Sequence, residues 1–394
     1  MASRVRCSQS ICDISRRARI PTSLTIVGLL VLVPAIANAQ KFTLLYSFHG
    51  ESGEYPLAGV IADSRGNLYG TTSEGGVHGL GTVFKVSASG EETVMHSFKG
   101  GRSDGNFPIA ALVRDQAGNL YGTTTLGGDA NYGTVFRVEE DGEETLIYSF
   151  GRGKDDGKYP SAGLLLDSEG NLYGTTQEGG TYGFGTVFKV DADGKETVLH
   201  SFAGNPRDGQ YPIADLVEDP EGNLYGTTEI GGIFNDGIVF RLAKDGEETV
   251  IFNFAGGAGG NYLLGGVVRD SAGNFYGATT YGSNQVGLVF KLDPIGRETV
   301  LFTFNGNDGA YPSAGVIRSP KGMLCGTAEF GGKFGAGVIF SLSPSGVEKT
   351  LHDFEGPDGA DLLTGLFRDN AGNLYGTATE GGAYGQGTVF KLTP

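Results

Sequence analysis

Gly170-Asn171-Leu172-Tyr173-Gly174-Thr175-Thr176 decides the fold, because the chain carries this stretch, with small changes, seven times. The copies begin at Gly66, Gly118, Gly170, Gly222, Gly273, Gly322 and Gly372, at spacings of 52, 52, 52, 51, 49 and 50 residues. A fixed period near 50 marks an array of one supersecondary unit. Working outward in the third copy, Ala162–Asp167 is an apolar run and Ser168–Asn171 a tight turn. Leu172–Thr176, Thr186–Val190 and Glu196–Phe202 read as three further strands, separated by the glycine-rich loop 177–185 and the turn 191–194. Runs of 5–7 residues rich in Val, Leu, Phe, Tyr and Thr, bounded by Gly, Asn and Asp, are strand-and-turn signatures.

Four antiparallel strands repeated seven times predict an all-β fold, a seven-bladed β-propeller of four-stranded blades. A solenoid would need capping units, and neither end of the array reads as one. Phe42-Thr43-Leu44-Leu45-Tyr46-Ser47-Phe48 matches the fourth strand of the other units, and Gly387–Leu392 matches a third strand. The N-terminal strand is therefore expected to complete the last blade and close the ring, leaving no open β-edge at the seam.

The unit Gly-Asn-Leu-Tyr-Gly-Thr-Thr, Glu-Gly-Gly, Gly-Thr-Val-Phe-Lys, Glu-Thr-Val-Leu-His-Ser-Phe resembles the GloVer tandem repeats of exported bacterial proteins described as "choice-of-anchor". The resemblance runs over residues 41–394 and implies a repeat architecture and export, but no established activity. An anchor segment is not read among these residues. Kelch and WD40 repeats fit less well, since both use a Trp and this chain has none. The apolar strand, Gly-Asn turn and Leu-Tyr also look like NHL and lyase-type propellers, a similarity of fold that does not decide function.

Two domains follow: residues 1–39 as a signal peptide, and 40–394 as a single propeller. Arg4, Arg6, Arg16, Arg17 and Arg19 precede the apolar run Leu24–Val33 and then Ala37-Asn38-Ala39, so cleavage is expected after Ala39. Ten apolar residues are too few to span a bilayer. Secretion to the periplasm or the exterior is the expected localisation, with no membrane span after cleavage. The mature chain carries a net charge of about −20, which argues against a nucleic-acid partner. Cys325 is then the last thiol, so stability must come from the core rather than a disulfide. A monomer is expected.

Candidate chemistry is sparse. His96, His200 and His352 share one strand slot with Tyr46, Tyr148, Phe252 and Phe302, which reads as a demand for aromatic bulk. They lie in different blades, too dispersed for a zinc site. Cys325 stands where other units have Tyr and reads as a buried thiol. Two loop sets are expected to share one face. The loop before the first strand carries Asp104, Asp156, Asp208, Asp308 and Asp358, each before Gly and mostly followed by an aromatic-Pro pair. The loop after the second strand carries Glu74, Glu178 and Glu380, with Tyr182 and Tyr384 close behind.

Carboxylates and aromatics on one face suit sugars or calcium, while Asp-Gly and Gly-Gly equally make tight turns. Cofactors are expected to be none, with calcium as the one candidate. No G-x-S-x-G, H-E-x-x-H or Walker pattern occurs, and no catalytic residue is assigned. The fifth unit (Gly259-Gly260-Asn261-Tyr262-Leu263, then Tyr281-Gly282-Ser283-Asn284) and the seventh (Asp361-Leu362-Leu363) break the pattern. The expected role is a binding or interaction module with a glycan or protein ligand. A polysaccharide-active lyase or hydrolase and a purely structural surface protein are the alternatives.

Overall fold

The structure, a computed structural model, describes residues 40–393. The expected signal peptide, with cleavage after Ala39, lies outside these residues. Among the described residues no helix is long and apolar enough to cross a membrane. The only helical pieces there are the 3-10 turns Gly50–Ser52 and Gly257–Gly259.

Seven four-stranded antiparallel sheets form the blades. Blade three runs outward through Leu165–Leu166, Leu172–Thr176, Thr186–Val190 and Glu196–Ser201. The seventh combines Phe367–Arg368, Leu374–Ala378 and Thr388–Thr393 with Lys41–Ser47 from the other end of the chain. Lys41 pairs with Thr393 and Ser47 with Thr388, so the expected closure by the N-terminal strand holds.

The innermost strand is shorter than the apolar run suggests: only Leu165–Leu166 pair with their sheet. Ala162–Leu164 turn instead toward the neighbouring blades. Thr123 Oγ1 donates to the Ala162 carbonyl at 3.2 Å, and the Gly163 N–H donates to Asp215 at 2.6 Å. Backbone groups satisfied by other blades do not need ladder partners.

Each residue of the diagnostic stretch has a physical task. Asn171 and Tyr173 both donate to Asp167 Oδ2, at 2.7 and 3.1 Å, which latches the turn that Gly170 (φ 85°) makes possible. Burial would raise the Asp167 carboxyl, but these hydrogen bonds outweigh it and hold the carboxyl below its ordinary range. Gly174 is needed for space rather than for φ. A Cβ there would lie 2.7 Å from Phe188 Cζ, so the glycine is the seat of the third-strand phenylalanine. Thr175 and Thr176 bind outward. Thr175 Oγ1 reaches the Ala214 carbonyl of blade four, and Thr176 Oγ1 pairs with Thr186 Oγ1 at 2.8 Å. At the seam Thr377 Oγ1 donates to the Ala58 carbonyl at 2.8 Å.

Packing between blades rests on one aromatic contact used seven times. Phe150, at the outer strand of blade two, meets Phe188 of blade three edge-on at 5.0 Å, and both are fully buried. Phe48 and Phe84 repeat this across the seam at 4.9 Å. Such pairs add about 0.5–1.5 kcal/mol beyond the area they bury.

Candidate functional site

The two loop sets do pair with each other on one face of the ring. Gly157–Lys158 forms a short ribbon with Glu178–Gly179, and bridges at Glu54–Glu74, Asn261–Tyr281, Ala310–Phe330 and Ala360–Glu380 repeat it. This face carries two alternating slots around the mouth of the axial channel. One holds Tyr55, Phe107, Tyr159, Tyr211, Tyr262, Tyr311 and Asp361, all with φ between 54° and 61°. The left-handed backbone at these non-glycine residues lets each bond both ways. Tyr159 N–H donates to the Tyr132 carbonyl of the preceding blade, and its own carbonyl accepts from Gln177 N–H. The neighbouring slot holds Glu74, Leu126, Glu178, Ile230, Tyr281, Phe330 and Glu380.

In blades five and six both slots are aromatic, and the rings form a continuous arc. Tyr262 meets Tyr281 at 5.5 Å, Tyr281 meets Tyr311 at 5.5 Å, and Tyr311 meets Phe330 at 6.1 Å. Tyr262, Tyr281 and Phe330 are exposed. Beside the arc, in blade seven, Asp361 sits against Glu329 and near Glu380. Burial and the Glu380 charge push the Asp361 carboxyl up, and burial followed by the Asp361 charge does the same for Glu329, which Ser313 Oγ contacts at 2.8 Å. Asp361 Oδ1 is buried without a hydrogen-bond partner.

The residues singled out from the sequence divide. Glu74, Glu178 and Glu380 are exposed on the face, and Tyr182 and Tyr384 project from it at 59 % and 63 % exposure. Asp104 (0 % exposed), Asp156 and Asp208 (7 % each) are not surface carboxylates. Asp104 and Asp208 have both oxygens in use, and Asp156 has only Oδ2 bonded, to Tyr148 Oη and the Arg152 N–H. Asp104 accepts from the backbone N–H groups of Lys99 and Gly105, and Asp208 from those of Ala203 and Gly209. Asp308 and Asp358 are half-buried and likewise accept backbone N–H groups, from Asn305 and Glu355.

The histidines answer to these aspartates, which the sequence comparison missed. His200 Nε2 lies 3.0 Å from Asp208 Oδ2 and His352 Nε2 lies 2.8 Å from Asp358 Oδ2; Tyr148 Oη donates to Asp156 at 2.9 Å in the same place. His96, His200 and His352 lie on the outer strands of three different blades. However, His96, Asp104 and Glu144 converge, as do His200, Asp208 and Glu248, with ligand atoms within 4.8 Å of one another. Each set offers three donors for a divalent ion. In the intervening blade Tyr148 does the same joining with no such donor set, and Phe302 fills the slot beside Asp308 with no polar atom to offer it, so aromatic bulk is what these joints share. Where the outer strand brings Phe252, the aspartate is replaced by Gly259.

Glutamates at these joints are unusual acids. Burial, first of all, pushes Glu92, Glu144, Glu196, Glu248 and Glu298 up to about 7. The charges of Asp104, Asp156 and Asp208 add to this at Glu144, Glu196 and Glu248, while His96 with Lys99, and His200, oppose it at the first and last. An acid whose folded pKa lies above its unfolded value of about 4.3 binds more protons when folded, so stability falls as pH rises between the two values. The melting temperature is therefore expected to drop by several degrees from pH 5 to pH 8, followed by calorimetry. A rise over that range would contradict the assignment. Asp219 acts oppositely: burial is outweighed by the bonds from Asn223 and Tyr225, which hold it at about 2. Its contribution is present above about pH 4 and lost as pH falls through about 2.

Cys325 is buried, and burial pushes its thiol up to about 11, so it is a poor nucleophile at neutral pH. Its unit has lost the whole latch at once: Ser319 and Met323 replace the Asp and Asn. One residue escaped the sequence reading altogether. Asp215 stands in the axial channel, in a slot that other blades fill with Gly or Ala. Comparing that slot across the copies would have found it.

The family described as Gloeobacter/Verrucomicrobia repeat matches residues 33–240 and 215–394, which bears out the resemblance read from the sequence. No curated protein matches in sequence. Among solved structures, a streptogramin B lyase is similar at 12 % identity and TM-score 0.57, over 90 % of this chain and 97 % of that one. The virginiamycin B lyase of Staphylococcus aureus is similar at 13 % identity and TM-score 0.58, over 90 % and 99 %. The extracellular domain of a hybrid two-component system from B. thetaiotaomicron gives 16 % and 0.58, over 90 % of this chain and 41 % of that one. At these identities the likeness is one of fold.

Proposed function

We propose that this chain, which belongs to the Gloeobacter/Verrucomicrobia repeat family, is an exported binding module whose loop face takes a glycan. The observation that carries the reading is the arc Tyr262–Tyr281–Tyr311–Phe330, with carboxylates continuing along the same rim. Aromatic rings with a polar tip offer flat apolar area to the C–H faces of a sugar and a hydroxyl to its oxygens. Ionised carboxylates accept hydrogen bonds from sugar hydroxyls. Blades one to four lack such an arc, because their second slot is Glu, Leu or Ile. The basic and apolar leader with Ala37-Asn38-Ala39 supports export.

Glycan-array binding by the mature protein, with calcium and then with EDTA, tests the reading. Tyr281→Ala is expected to weaken binding to the preferred glycan by about five- to thirtyfold, the ~1–2 kcal/mol of a lost aromatic contact, in a protein whose circular dichroism is still that of the folded wild type. Loss in EDTA would add calcium to the site. Silence on the array under both conditions would remove the proposal.

A further inference from the structure

The inner segments of all seven blades wall an axial cavity of about 480 Å³. At one level Leu57, Ile109, Ile213, Leu264 and Leu363 give it an aliphatic wall, and Ser161 and Ser313 take the two remaining places. The next lumen slot is glycine in five blades (Gly163 and Gly266 among them), Ala111 in another, and Asp215 in blade four. Glycine suits this slot because neighbouring backbones nearly touch: a Cβ on Gly59 would lie 2.5 Å from the Gly365 carbonyl oxygen.

Asp215 is the only charged side chain lining the cavity among the described residues. Asp215 is exposed to the lumen, and the protein packed around the channel pushes its carboxyl up. One hydrogen bond is recorded to the carboxylate among the described residues, from Gly163 N–H to Oδ1 at 2.6 Å. A purely structural clamp is a poor account of it, since six other joints of the same ring are made with Gly or Ala in that slot.

We propose that the axial cavity binds a small aliphatic amine in its protonated form, its ammonium on Asp215 and its hydrocarbon against the aliphatic wall. A concave, mainly apolar chamber with a few placed polar groups is the usual form of a small-molecule site, and its size lies in the usual range of ~300–1,000 Å³. The carboxylate, bonded to one backbone N–H, supplies what an ammonium requires, a charge-assisted acceptor beside an apolar wall. A calcium ion fits less well, because it takes about 6–8 oxygens and the side chains of the wall offer one carboxylate and a few hydroxyls. The site is independent of the aromatic arc.

Calorimetric titration of the protein with hexylammonium chloride, hexanol and calcium chloride tests the assignment. Hexylammonium is expected to bind at least about tenfold more tightly than hexanol, as for one charge-assisted hydrogen bond. Asp215→Gly, which restores the residue usual in this slot, and Asp215→Asn, which keeps the shape, should each reduce hexylammonium to the level of hexanol. Lowering the pH until Asp215 is protonated should weaken the ammonium and leave the alcohol unaffected. Equal hexylammonium binding by Asp215→Asn overturns the proposal. So does the absence of hexylammonium binding to folded wild-type protein, or a calcium affinity that Asp215→Asn removes while the amine does not compete.

Discussion

A chain lacking residues 1–48 is expected to lose its single cooperative thermal transition and to aggregate. The missing strand, Lys41–Ser47, is the outer edge of the seventh blade and is paired along its length with Thr388–Thr393. With it go Phe48, fully buried against Phe84 of blade one, and Phe42, stacked on His352 of blade six at 3.8 Å. Losing one such buried phenylalanine costs about 3–5 kcal/mol, against a total stability of about 5–15 kcal/mol for a typical protein. The deletion also opens an edge at Thr388–Thr393, where Val389 and Phe390 would offer an apolar template to another chain. A circular permutant that joins residue 393 to residue 40 through a short linker, and opens in an exposed turn such as 191–194, should keep the transition. Differential scanning calorimetry and light scattering of both proteins decide it. A truncated chain that melts as a monomer at the full-length temperature would show that closure is dispensable.

Phe188→Ala is expected to destabilise the protein by about 3–5 kcal/mol, and Gly174→Val by at least about 1–3 kcal/mol. Phe188 is fully buried, touches Phe150 of the preceding blade at 5.0 Å, and fills the space left by the missing side chain of Gly174. A Cβ at Gly174 would also lie 3.0 Å from Leu164 Cδ2, so the valine has nowhere to go. In the double variant the valine occupies part of the cavity, and the two changes should cost less together than their sum, by about 0.5–3 kcal/mol. Urea denaturation of the two single variants and the double variant measures this. Strict additivity would mean that the glycine is there for its backbone and not for the ring.

The sequence by itself determined the ring, its blade number and its closure. Those rest on a period near 50, strands of 5–7 residues and a terminal strand out of phase with its own end. These are local and repetitive signals, and seven copies of Gly174 and Phe188 state the same packing rule seven times. Exposure at the face was only half legible. Glu74, Glu178, Glu380, Tyr182 and Tyr384 face solvent, but Asp104, Asp156 and Asp208 are buried and bond to groups no more than eight residues away, among them Lys99, Tyr148 and His200. A residue's repeat position says which slot it fills, not whether the neighbouring blade covers that slot. Tertiary structure alone decided three things: the left-handed turn of Tyr262 and Tyr311, the arc they form with Tyr281 and Phe330, and the placing of Asp215 in the lumen. Each depends on contacts between residues about 20 to 50 positions apart that closing the ring brings together, and no local pattern encodes such a contact.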